Sequence, residues 1–94
     1  MLLLDVRQPK ELAHGVIPSG KNVPLDELES ALKLSPAAFL DRYGFHKPEP
    51  SLHIVCYCRT GVRSETAAQL LMKAGFTRVQ NYRGSFADWF GHVY

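Results

Sequence analysis

The apolar positions of this chain fall into short runs divided by turn residues, and their spacing changes character from run to run. In "MLLLDVR" the leucines at 2, 3 and 4 are unbroken and stop at Asp5. A run without alternation suits a strand of a parallel sheet covered on both faces. "LHIVCY" repeats the signal with β-branched residues at its centre and is the strongest strand candidate, while "TRVQNY" reads as a third strand and Asn22 with Val23 as a very short one.

Between these runs the period becomes helical. Leu25, Leu28 and Leu32 recur at helical spacing in "LDELESAL". "SPAAFLDRYG" offers Ser35 as a cap, Pro36 at the first position and Gly44 as terminator. "RSETAAQLLMKAG" puts Ala67, Leu70, Leu71 and Ala74 on one face, with Lys73 near its end and Gly75 as stop. "QPKELAHG" runs from Pro9 as first helical residue to Gly15 as stop, "HKPEPS" is an exposed connector, and "SFADWF" is a final helical turn with Trp89 as a core plug. Strands alternating with helices imply an α/β fold around a parallel sheet, with ligands beyond the C-terminal ends of the strands. Cys58 stands at such an end.

Ninety-four residues make one small domain, residues 1–94, and 46% hydrophobic with 21% charged residues is the composition of an ordinary globular protein. The net charge of +2 is unevenly spread. Residues 1–57 carry six Lys/Arg against seven Asp/Glu, whereas residues 58–94 carry five against two. This favours a small anionic ligand near the C-terminal half, and the lack of a basic cluster interleaved with aromatics speaks against nucleic acid. No signal peptide or membrane span is expected. Cys56 and Cys58 are too close along a strand to bridge without strain, so a reducing compartment is expected.

The chemistry concentrates in "VCYCRTGVRSE", residues 55–65. Cys58 leaves the strand, Gly61 permits a tight turn, and Arg63 opens the next helix, so loop amides and the positive helix end converge on the sulfur. Such a cradle favours a thiolate. Three uses compete: transfer of a sulfane sulfur through a persulfide, hydrolysis of a phosphate ester, and mere packing. Cysteine phosphatases place five residues between cysteine and arginine; here four separate Cys58 from Arg63, a tighter loop that suits sulfur better.

Together, "LLLDVR", "EL..GVIPSGKNVPLDEL", "IVCYCRTGVRS" and "AGFTRVQNYRGSFADW", in this order along nearly the whole chain, resemble the single-domain rhodanese-like, or thiosulfate sulfurtransferase, family. The resemblance implies a three-layer fold with a central parallel sheet of about five strands between helices. It makes Cys58 the persulfide-forming nucleophile and Arg59, Thr60, Gly61, Val62 and Arg63 its substrate-binding cradle. It also suggests that Asp5 and Arg7 support the loops around the site. No metal or organic cofactor is implied. The partners implied are an anionic sulfur donor such as thiosulfate and a thiol or cyanide acceptor, with no nucleic acid and no membrane, in the cytoplasm or mitochondrion. The chain departs from the family in beginning almost at the "DVR" strand, without the usual N-terminal strand and helix, as a shortened form or a fragment would. It also carries "GVIPSG" where "GHIPGA" is common, so no histidine role transfers to Val16.

A cysteine phosphatase or arsenate reductase, and a non-catalytic binding or regulatory module, are the alternatives. Cys56 shares strand parity with Cys58 and is expected in the core. Arg63 is an awkward cation at a helix start and is expected to meet an anion or a carboxylate. Arg83 is expected on the solvated surface, and His53 with the two cysteines lacks the companions a zinc site needs.

Overall fold

The computed structural model describes residues 1–89. Strands β1 (Leu2–Asp5), β2 (Lys21–Asn22), β3 (Ile54–Tyr57) and β4 (Val79–Asn81) form one sheet in the order β2-β1-β3-β4, with every pairing parallel. A 3-10 helix spans Pro9–His14, and four α-helices follow: α1 (Leu25–Leu32), α2 (Pro36–Tyr43), α3 (Val62–Lys73) and α4 (Ser85–Trp89). The register sets Asp5 beside Tyr57 and Cys56 beside Asn81, so these residues share the C-terminal edge of the sheet.

Strand alternation sorts the side chains into two cores. Leu4, Ile54, Cys56 and Cys58 face α1, α2 and α3, where Leu28, Phe39, Ala67 and Leu71 are buried against them. Each large apolar side chain hidden there is worth about 1.5–3 kcal/mol. On the other face Ile17, Tyr57 and Phe86 make a smaller cluster, joined by the half-buried Leu3 and Tyr82. Helix ends follow local chemistry: the Ser35 hydroxyl accepts the Ala38 N–H at 3.2 Å, and Gly44 closes α2 at φ +77°.

Several sequence expectations shift. The second strand lies at Lys21–Asn22, one residue before the predicted Asn22 and Val23, and α3 opens at Val62 rather than Arg63. The buried face of α3 is Ser64, Ala67, Ala68 and Leu71; Ala74 falls past the last turn and is exposed. Trp89 is no core plug: 53% exposed, it lines a groove of about 400 Å³ with Leu3, Ile17, Val55 and Tyr82, because Phe86 takes the inward position of α4. Phe90, the end of the predicted final turn, lies outside the described residues. Among the described residues, no helix is long and apolar enough to cross a membrane.

Candidate active site

Cys58 is the first residue beyond β3 and is 1% exposed. Its backbone is held from the far side of the sheet. The Cys58 N–H donates to the Ser85 hydroxyl at 3.1 Å, the Cys58 carbonyl accepts the Phe86 N–H at 3.0 Å, and the Arg59 carbonyl accepts the Ala87 N–H at 2.9 Å. Ser85 is itself buried, sits at φ +54° and donates its hydroxyl to the Tyr82 carbonyl at 2.6 Å. A non-glycine residue in that left-handed region costs energy, which the surrounding hydrogen bonds offset.

The loop then turns at Gly61, at φ +96°. Glycine is required there twice over: a side chain would be strained at this φ, and its Cβ would run into the Arg83 carbonyl oxygen. The turn aims the Gly61 N–H at the Cys58 sulfur, 3.0 Å away, and places the Ser64 hydroxyl 3.5 Å from it. Burial pushes the Cys58 thiol up, but hydrogen bonds from the Ser64 hydroxyl and from the backbone of Ser64, Gly61 and Thr60 outweigh it, and the thiol lies below its ordinary value. Cys56, fully buried and beside Cys58, is pushed up to about 12 by desolvation first and by its neighbour's charge second. One of the two thiols is thus prepared for ionisation, and the other is inert packing.

Arg63 has found a carboxylate. Its guanidinium binds Glu11 end-on, Nη1 and Nη2 donating to the two carboxylate oxygens at 2.6 and 2.8 Å, and holds that carboxyl down to about 2. Glu11 belongs to the 3-10 helix, whose backbone is anchored by Arg7, with the Gly15 carbonyl 2.9 Å from Arg7 Nη2. Arg7 is completely buried, forked onto Asp5 at 2.8–3.1 Å, and stacked 4.3 Å from the centre of the Phe86 ring. A buried ion pair needs this full set of partners to offset desolvation. The pair also ties β1 to the 3-10 helix and to α4, the two segments that hold the cysteine loop.

The predicted site residues therefore separate by placement. Cys58 and Gly61 lie at the buried centre, Arg59 and Thr60 are exposed, Val62 is 73% exposed, and Arg63 is half-buried against Glu11. Sequence reasoning passed over Ser64, Asn81, Ser85 and Glu11. Asn81 accepts the Ser64 hydroxyl at 2.5 Å and donates to the Gly61 carbonyl at 3.1 Å, bracing both ends of the turn. The one available signal was the position of Ser64 in the first turn of the helix that follows the cysteine. Among the described residues, no cluster of three or more His, Cys, Asp or Glu side chains is placed to hold a metal.

Residues 1–92 match the model of the rhodanese-like domain. The human thiosulfate:glutathione sulfurtransferase is 43% identical over 88 residues, which are 93% of this chain and 76% of that protein. A mitochondrial relative from Schizosaccharomyces pombe is also 43% identical over 88 residues, 94% of this chain, and the chain spans 62% of its length. The solved structure of the human single-domain sulfurtransferase TSTD1 superposes with a TM-score of 0.92 at 40% identity, covering 99% of this chain and 83% of that one.

Proposed function

The chain belongs to the rhodanese-like domain family, and from that premise we propose that it is a sulfurtransferase, moving a sulfane sulfur from an anionic donor such as thiosulfate to a thiol acceptor through a persulfide on Cys58. The observation that carries the reading is the Gly61 N–H aimed at the Cys58 sulfur at 3.0 Å, at the end of a parallel strand and the start of α3.

In the first half-reaction the Cys58 thiolate attacks the outer sulfur of thiosulfate. An S–S bond forms to Cys58, the bond to the sulfonate sulfur breaks, and sulfite leaves with the electron pair. In the second, an acceptor thiolate attacks the terminal sulfur, takes it away as a new persulfide and returns Cys58 as thiolate. Cyanide in the same role leaves as thiocyanate. The loop N–H groups stabilise negative charge on sulfur at both stages, with the positive end of α3 adding to them. Neither step needs a metal or an organic cofactor.

Arg59 and Thr60, exposed on the loop, are the proposed contacts for the anionic end of the donor, and Val62 lines the approach. Arg63 acts through its bond to Glu11, fixing the helix start, and the Asp5–Arg7 pair supports the fold around it. The name of the human relative pairs thiosulfate with glutathione, and a small thiol of that kind is the proposed acceptor. A mitochondrial or cytoplasmic setting, where thiols stay reduced, suits the chemistry, and the S. pombe relative is mitochondrial by name.

Intact-mass measurement after thiosulfate treatment tests the proposal: an adduct of about 32 Da on Cys58 that cyanide removes is expected. A folded sample that gains no adduct, or that hydrolyses p-nitrophenyl phosphate in a Cys58-dependent way, overturns it.

A further inference from the structure

We propose that Ser64 and Asn81 form a hydrogen-bond switch beneath Cys58, in which Asn81 is a positioning residue that competes with the sulfur for the single hydroxyl proton of Ser64. This deepens the reading of Cys58 as sulfur carrier and rests on it.

Ser64 is fully buried, with its oxygen 2.5 Å from Asn81 Oδ1 and 3.5 Å from the Cys58 sulfur. A serine hydroxyl has one proton to donate, so it serves one of these neighbours at a time. The short contact puts that proton toward Asn81. The Asn81 amide is locked in the orientation that receives it, because its Nδ2 donates at 3.1 Å both to the Gly61 carbonyl and to the Glu65 carboxylate. Rotating the amide would break both bonds.

With Cys58 as a neutral thiol, its S–H is free to donate to the Ser64 oxygen while Ser64 donates to Asn81. When the thiol proton leaves for solvent, the sulfur becomes an ionised acceptor and outcompetes a neutral amide oxygen. The Ser64 hydroxyl then turns to the sulfur. No covalent bond forms or breaks in the turn. Once a persulfide forms, the negative charge moves to the outer sulfur, and the hydroxyl returns to Asn81. Ser64 thus reinforces the thiolate when it is bare, and Asn81 satisfies Ser64 when it is not. The other ionisable groups on the elements packed around Cys58 are Cys56 and Tyr57 on β3, Arg59 on the loop, Arg63 with its partner Glu11, Glu65 and Lys73 on α3, Tyr82 and Arg83 after β4, Asp88 on α4, and Asp5 of β1 paired with Arg7 just beyond it.

The test is the pH dependence of iodoacetamide alkylation of Cys58 in the full chain, with no sulfur donor present. The two partners are expected to act in opposite directions: S64A raises the titration midpoint, and N81L, which removes the competing acceptor, lowers it. A mere loosening of the loop raises both, and that result, or an unmoved midpoint in N81L, overturns the switch. Should N81L not fold, N81D serves, since a carboxylate is a stronger competitor. It is expected to raise the midpoint by about one unit with Ser64 present and by less than half as much in the S64A background. An equal rise in both backgrounds is a plain charge effect and overturns the proposal. Because alkylation needs no thiosulfate, failure of the switch is read separately from failure of sulfur transfer.

Discussion

Glu11 and Arg63, 52 positions apart in the chain, are joined by two short parallel hydrogen bonds between carboxylate and guanidinium. The contact fastens the first turn of α3 to the 3-10 helix and gives the cation at that helix start a counter-charge.

Glu11 is held at about 2 instead of its ordinary 4.5, so its stabilising contribution is fully present above the ordinary value and is lost as pH falls through the native one. Arg63 is one-third exposed, and screening limits the contribution to about 1 kcal/mol. Acid titrations of stability are expected to show E11Q less stable than the parent at neutral pH, with the two curves converging between pH 4.5 and 2. Parallel curves would mean that the pair contributes nothing.

The two cysteines are expected to respond oppositely to a thiol reagent. Native protein should take up one iodoacetamide, at Cys58 and at a pH below that needed by a free thiol, with the second label following only on denaturation. C58S should abolish both the sulfur adduct and turnover while leaving the melting temperature nearly unchanged. C56A should keep turnover and lose about 1 kcal/mol of stability to the small cavity it leaves in the core.

Gly61→Ala combines a strained left-handed φ with a clash against the Arg83 carbonyl. A loss of at least about 2 kcal/mol and a rise in the alkylation midpoint of Cys58 are expected, because the N–H that faces the sulfur moves with the turn. Chemical denaturation and alkylation on one sample measure both. Wild-type behaviour in either would show that the turn has room to adjust.

Asp5→Asn leaves the Arg7 charge buried without its counter-ion. Breaking such a pair from one side costs about 3–5 kcal/mol. A large drop in the denaturation midpoint is expected, with activity falling only as far as the folded fraction does. A fully folded but inactive D5N would instead give Asp5 a direct role in the reaction.

The unbroken leucines before Asp5 and the run ending at Cys58 are legible as parallel strands because both faces of the sheet bury them, and period alone carries that information. β2 is harder: Val23 is as buried as a strand residue and its N–H still bonds the Asp5 carbonyl, so the apolar signal outlasts the ladder by one position. Arg63 reads as a cation in need of an anion, but naming Glu11 requires the fold of the intervening chain. Ser64, Asn81 and Ser85 are small polar residues, indistinguishable in sequence from caps and turns, and their importance appears only where their side chains meet the loop. Trp89 misleads because size suggests burial, whereas the register of α4 gives the inward place to Phe86.

Four of the groups that anchor the cysteine turn, Asn81, Ser85, Phe86 and Ala87, come after it in the chain, with Ser85 27 residues beyond Cys58. During synthesis the loop therefore leaves the ribosome well before the groups that shape it. Until β4 and α4 dock, Cys58 lacks its braced turn and behaves as an ordinary, weakly ionised thiol. The low-lying thiol is therefore a property of the docked sheet and α4 rather than of the local sequence around Cys58, and a chain in which they are undocked carries a thiol that oxidises correspondingly slowly.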